Sequence, residues 1–159
     1  MVLCRWSNFI VRIFIDADAC PKKAKEILFR AALRTKTELI LIANRFCQTP
    51  ISPYIRGIIV SSGLDEADKR IVDEARTGDL VITADIPLAS EVVAKGCIAL
   101  NPRGTVYDKE SIAQHLAVRN LMSQLREQQL IFGGASSYNA FDTQAFANQL
   151  DKILVKAKN

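Results

Sequence analysis

The sequence predicts a three-layer α/β/α domain with a five-stranded parallel sheet followed by C-terminal helices. Short apolar runs alternate with amphipathic stretches of helical period. The runs are nearly continuous, as in strands covered on both faces. A polar residue stands at the end of each run. The chain has 159 residues, 49% of them hydrophobic and 24% charged, with seven Gly and five Pro. That composition excludes disorder and linker-rich architecture, and the length suits one core.

Val11–Ile15 (VRIFI) is β-branched and aromatic and stops at Asp16-Ala17-Asp18, which predicts a strand over residues 10–16. Pro21 suits a first helical turn, and Lys22–Thr35 places Ala24, Ile27, Leu28, Ala31 and Ala32 on one side. Leu39–Ala43 (LILIA) is a second strand ended by Asn44. Arg45–Ile55, with Pro50 and Pro53, reads as a loop, and Ile58–Val60 as a short third strand. Asp65–Arg76 is the next helix. Leu80–Ala84 (LVITA) is the fourth strand, Pro87–Lys95 a helix closed by Gly96, and Cys97–Leu100 the fifth strand. Asn101-Pro102-Arg103-Gly104 is a turn, after which no further strand is expected. Lys109–Gln129 and Asp142–Lys156 are helical, separated by a loop around Gly133-Gly134. Residues 1–11 read as an N-terminal extension and 12–159 as one domain.

The four cysteines, at 4, 20, 47 and 97, form no CxxC pair and no zinc framework. No secretory signal or membrane span is visible, so reduced thiols in a cytoplasmic protein are expected. The net charge of +4 is compatible with a nucleic-acid partner without requiring one.

Parallel α/β sheets carry their sites at the carboxyl ends of the strands. Here those ends offer Asp16 and Asp18, Asn44, Ser61 and Ser62, Thr83 and Asp85, and Asn101 and Arg103. Asp16 and Asp18 share a face if the strand persists, and close carboxylates repel unless a cation joins them. Oxygen donors suit Mg²⁺ or Mn²⁺. The competing reading for Asp18 is a helix cap. Asp65 is placed to cap a helix, with Asp68 mimicking a capping box. Positions 65, 68, 72 and 75 share a face with apolar Val72 and Ala75, which turns Asp68 inward. Asp85 either caps the helix after it or serves the site. Arg103 either holds a phosphate or fastens its loop, and Lys22 is placed to follow a nucleic-acid backbone.

Ile15–Pro21 (IDADACP), Gly78–Ala89 (GDLVITADIPLA) and Asn101–Gly104 (NPRG) resemble the signatures of the YaiI/YqxD family of bacterial proteins. The resemblance runs from about Arg12 to the chain end. It implies a PIN-like fold with strand order 3-2-1-4-5, and a nuclease cutting RNA with Mg²⁺ or Mn²⁺. Carried over, Asp16, Asp68 and Asp85 are the catalytic and metal-binding acids, with Asp18 and Asp65 as additional ligands. Asn44, Thr83, Arg103 and Lys22 are then candidates for substrate contact. Ile86 and Pro87 stand where many PIN enzymes carry a further acid, and Glu91 comes one turn later.

The function expected is metal-dependent phosphodiester hydrolysis of RNA or single-stranded nucleic acid. The alternative is a non-catalytic nucleic-acid or protein binding module on the same fold. A third reading, a haloacid dehalogenase-type phosphatase, draws on Asp16-x-Asp18 but wants Thr where Cys20 stands.

Overall fold

The computed structural model describes residues 12–63, 65–131 and 137–158. The expected extension at residues 1–11 and the Gly133-Gly134 segment lie outside them. The elements run β1 (Arg12–Asp16), α1 (Lys22–Thr35), β2 (Glu38–Ala43), β3 (Ile55–Ile59), α2 (Glu66–Glu74) and β4 (Leu80–Ile82). They continue with α3 (Ile86–Ala94), β5 (Ile98–Leu100), β6 (Val106–Tyr107), α4 (Ile112–Glu127) and α5 (Ala140–Lys158). The sheet order is β3-β2-β1-β4-β5-β6, parallel throughout except for the β5–β6 pair.

Strand side chains alternate between two helical layers. Ile13, Ile15, Leu39, Leu41, Leu80 and Ile82 pack against Ala24, Leu28 and Ala32 of α1 and Phe146, Leu150 and Leu154 of α5. Phe14, Ile40, Ile42 and Val81 pack against Ile71 of α2 and Leu88, Ala89, Val92 and Val93 of α3. Both faces are covered, which is why the strands are apolar without a polar stripe. α4 covers least: none of its residues is buried, and Leu121 is exposed.

The structure corrects the expected fold in two places. A sixth strand follows the Asn101–Gly104 turn and returns antiparallel to β5. At two residues it is too short to carry a periodic signal. β3 begins at Ile55, earlier than expected, because Arg56 and Gly57 interrupt the apolar run while the backbone pairs with β2 regardless. β3 is an edge strand among the described residues, and Arg56 pairs with Glu38 of β2 at 2.8 Å.

The turn into β6 depends on Gly104. Its φ is +100°, and a Cβ there would lie 2.9 Å from the carbonyl carbon and the Cβ of Ala145 on α5. Neither the dihedral nor the backbone neighbour can yield cheaply. Gly104→Ala is expected to cost about 2 kcal/mol or more, read as a lower urea midpoint at unchanged m-value. A midpoint equal to the wild type would contradict this close approach.

Candidate functional site

Strand order reverses between β1 and β4. The chain leaves β1 toward β2 on one side, while β4 lies on the other. Such a point leaves a crevice beyond the strand ends. Ile15 is in register with Ile82, so Asp16 and Thr83 leave the sheet side by side. Alternation turns Asp16 to the same side as Phe14, toward the α2 and α3 layer. Asp68 lies half-buried on α2, above buried Ile71 and Ala75. Asp85 is the N-cap of α3, and its Oδ1 accepts from the Leu88 amide at 3.1 Å. The buried Thr83 hydroxyl accepts from the Asp85 amide at 2.9 Å, fixing the chain as it leaves β4.

Asp16, Asp68, Thr83 and Asp85 line one cleft of about 120 Å³ together with Ala19, Cys20, Ile82, Ala84 and Pro102. It has room for several waters or a hydrated ion, not for a nucleotide. Asp68 and Asp85 also wall a neighbouring groove that contains Asp65, Lys69, Val72 and Glu91.

The remaining candidates lie elsewhere. Asp18 turns away, because β1 ends at Asp16. Its Oδ2 accepts from the Asn44 amide at 2.8 Å, and its Oδ1 lies 3.9 Å from Arg45 Nε. It does not cap α1, whose N-cap is Pro21. Asp18 and Asn44 thus clasp the loop after β2 to the loop after β1. Asp65 occupies the N-cap of α2, but with φ 64° its side chain caps nothing, so the expected capping box does not form. Arg103 pairs with Asp142 of α5 at 2.7 Å and lies over the Tyr138 ring, fastening the turn to the last helix. Lys22 is exposed at a separate groove between α1 and the β2–β3 loop. Pro102 in the cleft and Lys69 in the neighbouring groove are not among the residues expected from sequence, whereas Glu91, noted one turn after Pro87, does line that groove. The available signal for Lys69 was its place next to Asp68.

The cleft is acidic and unbalanced. Among the described residues, no ion pair involves Asp16, Asp68 or Asp85. Burial, reinforced by the charges of Asp85, Asp16 and Asp65 and by a hydrogen bond with Asp85, pushes Asp68 up to about 6. Burial also holds Asp16 above its ordinary value, and the charges of Asp18 and Asp85 add to this. The amides of Asp18 and Ala19 offset part of the shift. Burial pushes the Cys20 thiol up to about 12, so it is a packed neutral group rather than a thiolate.

A carboxyl raised on folding gives stability below its unfolded value and loses it as pH rises through the folded value. In chelator, stability is therefore expected to fall between about pH 4 and about 6, the upper limit being the Asp68 value. Asp68→Asn should flatten that fall, by on the order of 1 kcal/mol once its solvent exposure is allowed for. Urea midpoints across this range check it, and superimposable profiles would count against the cleft's electrostatics.

The donor chemistry fits a hard divalent ion: every candidate is an oxygen ligand, and the negative charge lacks a cationic partner. The geometry is less complete. Among the described residues, no three Asp, Glu, His or Cys side chains are gathered so that they could hold a metal ion as they stand. Among the described residues, no helix is long and apolar enough to cross a membrane. Cys20, Cys47 and Cys97 are free thiols.

Relatives share nearly the whole chain. A UPF0178 protein from Hahella chejuensis is 54% identical over 146 residues, covering 92% of this chain and 97% of its own. One from Shewanella sp. strain MR-7 is 51% identical, with coverage of 92% and 97%. One from Maridesulfovibrio salexigens is 48% identical, with coverage of 94% and 99%. No solved structure gives a significant match. Residues 14–156 match the family described as uncharacterised, YaiI/YqxD. With that match and these identities, the chain belongs to the YaiI/YqxD family.

Proposed function

We propose that the protein is a metal-dependent phosphodiesterase acting on RNA or single-stranded nucleic acid. The observation that carries this reading is the cleft at the β1–β4 switch point. There, three acids from distant segments line one cleft without an ion-pair partner among the described residues, and burial beside the other acids raises Asp68 to about 6. Mg²⁺ or Mn²⁺, when bound, supplies an activated water and neutralises charge developing on the phosphate. Asp16, at the end of β1, and Asp85, at the N-cap of α3, would hold the ion. Asp68, on α2, would complete the ligand set or orient the water. Thr83 positions Asp85 by accepting its backbone N–H.

The test is cleavage of a labelled RNA by the wild type in Mn²⁺ and in chelator, beside Asp16→Asn. Metal-dependent cleavage that the variant lacks supports the reading, and equal activity in the two proteins rejects it. One observation favours the second reading, a binding module: the acids are not gathered into a finished ligand set. Tight RNA binding in chelator without turnover in any divalent metal would select that module.

A further inference from the structure

Three acids repel the polyanion they are proposed to cut, so attraction has to come from cations beside them on the same edge of the sheet. The β2–β3 connection supplies it. β2 leaves the sheet next to β1, with Ile42 in register with Asp16. Its exit is tied to the cleft through two hydrogen bonds. The Asp18 amide donates to Asp16 Oδ1 at 3.2 Å, and the Asn44 amide donates to Asp18 Oδ2 at 2.8 Å. The next two residues are Arg45, its side chain 85% exposed, and Phe46, 80% exposed. Beyond them the loop forms one wall of a groove of about 520 Å³ whose other wall is α1, where Lys22 and Lys25 outnumber the one acid, Glu26, and Phe29 faces Cys47 and Gln48.

A single exposed aromatic is ordinary on a protein surface. Phe46 differs by its setting, between a solvated guanidinium and a lysine-bearing groove, on a loop clasped to the carboxylate cleft. Aromatic faces with flanking cations are what single strands need, because their bases are unstacked and their phosphates are close. A duplex hides its base faces from such a surface.

We propose that the Arg45–Phe46 loop is the docking platform for a single strand: Phe46 stacks on a base, and Arg45 and the groove lysines hold the neighbouring phosphates. The platform rests on the reading above in one respect, that the strand bound here is the one delivered to Asp16, Asp68 and Asp85.

The test is fluorescence anisotropy in chelator, where no cleavage intervenes, with a short labelled oligouridylate and an abasic oligomer of equal length and charge. Phe46→Ala should bind the oligouridylate about tenfold more weakly and the abasic oligomer as the wild type does. Arg45→Gln should weaken both and lower the salt slope by about 0.7. Because Phe46 is exposed, the melting temperature of Phe46→Ala should match the wild type and certify the fold. Wild-type affinity in Phe46→Ala, equal losses on both oligomers, or no binding by the wild type would each overturn the platform. Phe46-dependent binding without cleavage in any divalent metal would overturn the nuclease reading alone. RNA and DNA versions of the oligomer separate the two sources of the same chemistry.

Discussion

Asp79→Ala is expected to lower the melting temperature by about 10 °C, from a loss of about 3 kcal/mol. Asp79 is 1% exposed at the start of β4, and its Oδ2 accepts from Arg12 Nη2 at 2.9 Å and from the Arg76 amide at 2.8 Å. Arg12 also donates to the Glu74 carbonyl at 3.0 Å and lies over the Phe14 ring. One carboxylate thus joins β1, the end of α2 and the turn into β4. Alanine would leave a guanidinium short of its counter-charge and an amide without its acceptor, and removing one partner of such a pair costs far more than the pair contributes net. Arg12 retains 19% exposure, which keeps the loss at the low end of what buried pairs show. Asp79→Asn keeps the shape and one acceptor, so it should lose roughly half as much. Calorimetric melts of the two variants check this, and an unchanged midpoint for alanine would show that the pair contributes nothing. Cleft chemistry should survive in both at low temperature, because Asp79 sits at the opposite end of β4.

Asp16→Asn is expected to change stability and activity in opposite directions. Asparagine keeps the shape but carries no charge, so repulsion with Asp18 and Asp85 disappears, and the melting temperature in chelator should stay level or rise. Mn²⁺-dependent cleavage, by contrast, should fall by at least about a hundredfold in kcat/KM, since even groups behind metal ligands are worth ten to a hundredfold. Titration calorimetry with Mn²⁺ should show the heat of binding lost in the same variant. A merely misfolded protein would lose both stability and activity. A variant that cuts as well as the wild type would remove Asp16 from the chemistry.

What the sequence revealed follows from the range of the forces involved. α1 is observed over Lys22–Thr35, as its local periodicity and Pro21 predict. The places of Asp16 and Asp85 at one edge of the sheet were legible because each follows a short apolar run bounded by turn signals, the pattern of a buried strand. Asp68 was legible from the inward face it shares with Val72 and Ala75. The partners of Asp18 and Arg103 were not, because Asn44 lies 26 residues beyond Asp18 and Asp142 lies 39 beyond Arg103. No local pattern encodes which distant loop a side chain will clasp. The start of β3 was hidden for another reason. An edge strand needs a buried face only in part, so Arg56 and Gly57 are tolerated there and mask the run.

That same edge has a cost in crowded solution. β3 presents a row of backbone groups with no further strand beyond it among the described residues; only its first amide, of Ile55, is taken up, by the Ser52 carbonyl at 3.4 Å, and Ile59 is 64% exposed. Such a border is a template on which a stray chain can add as another strand, the first step toward fibrils. Arg56, the second residue of β3 and paired with Glu38 of β2, puts a charge beside that border, which disfavours the apolar face of an incoming chain. The residue that blurs the strand in the sequence thus also works against edge pairing.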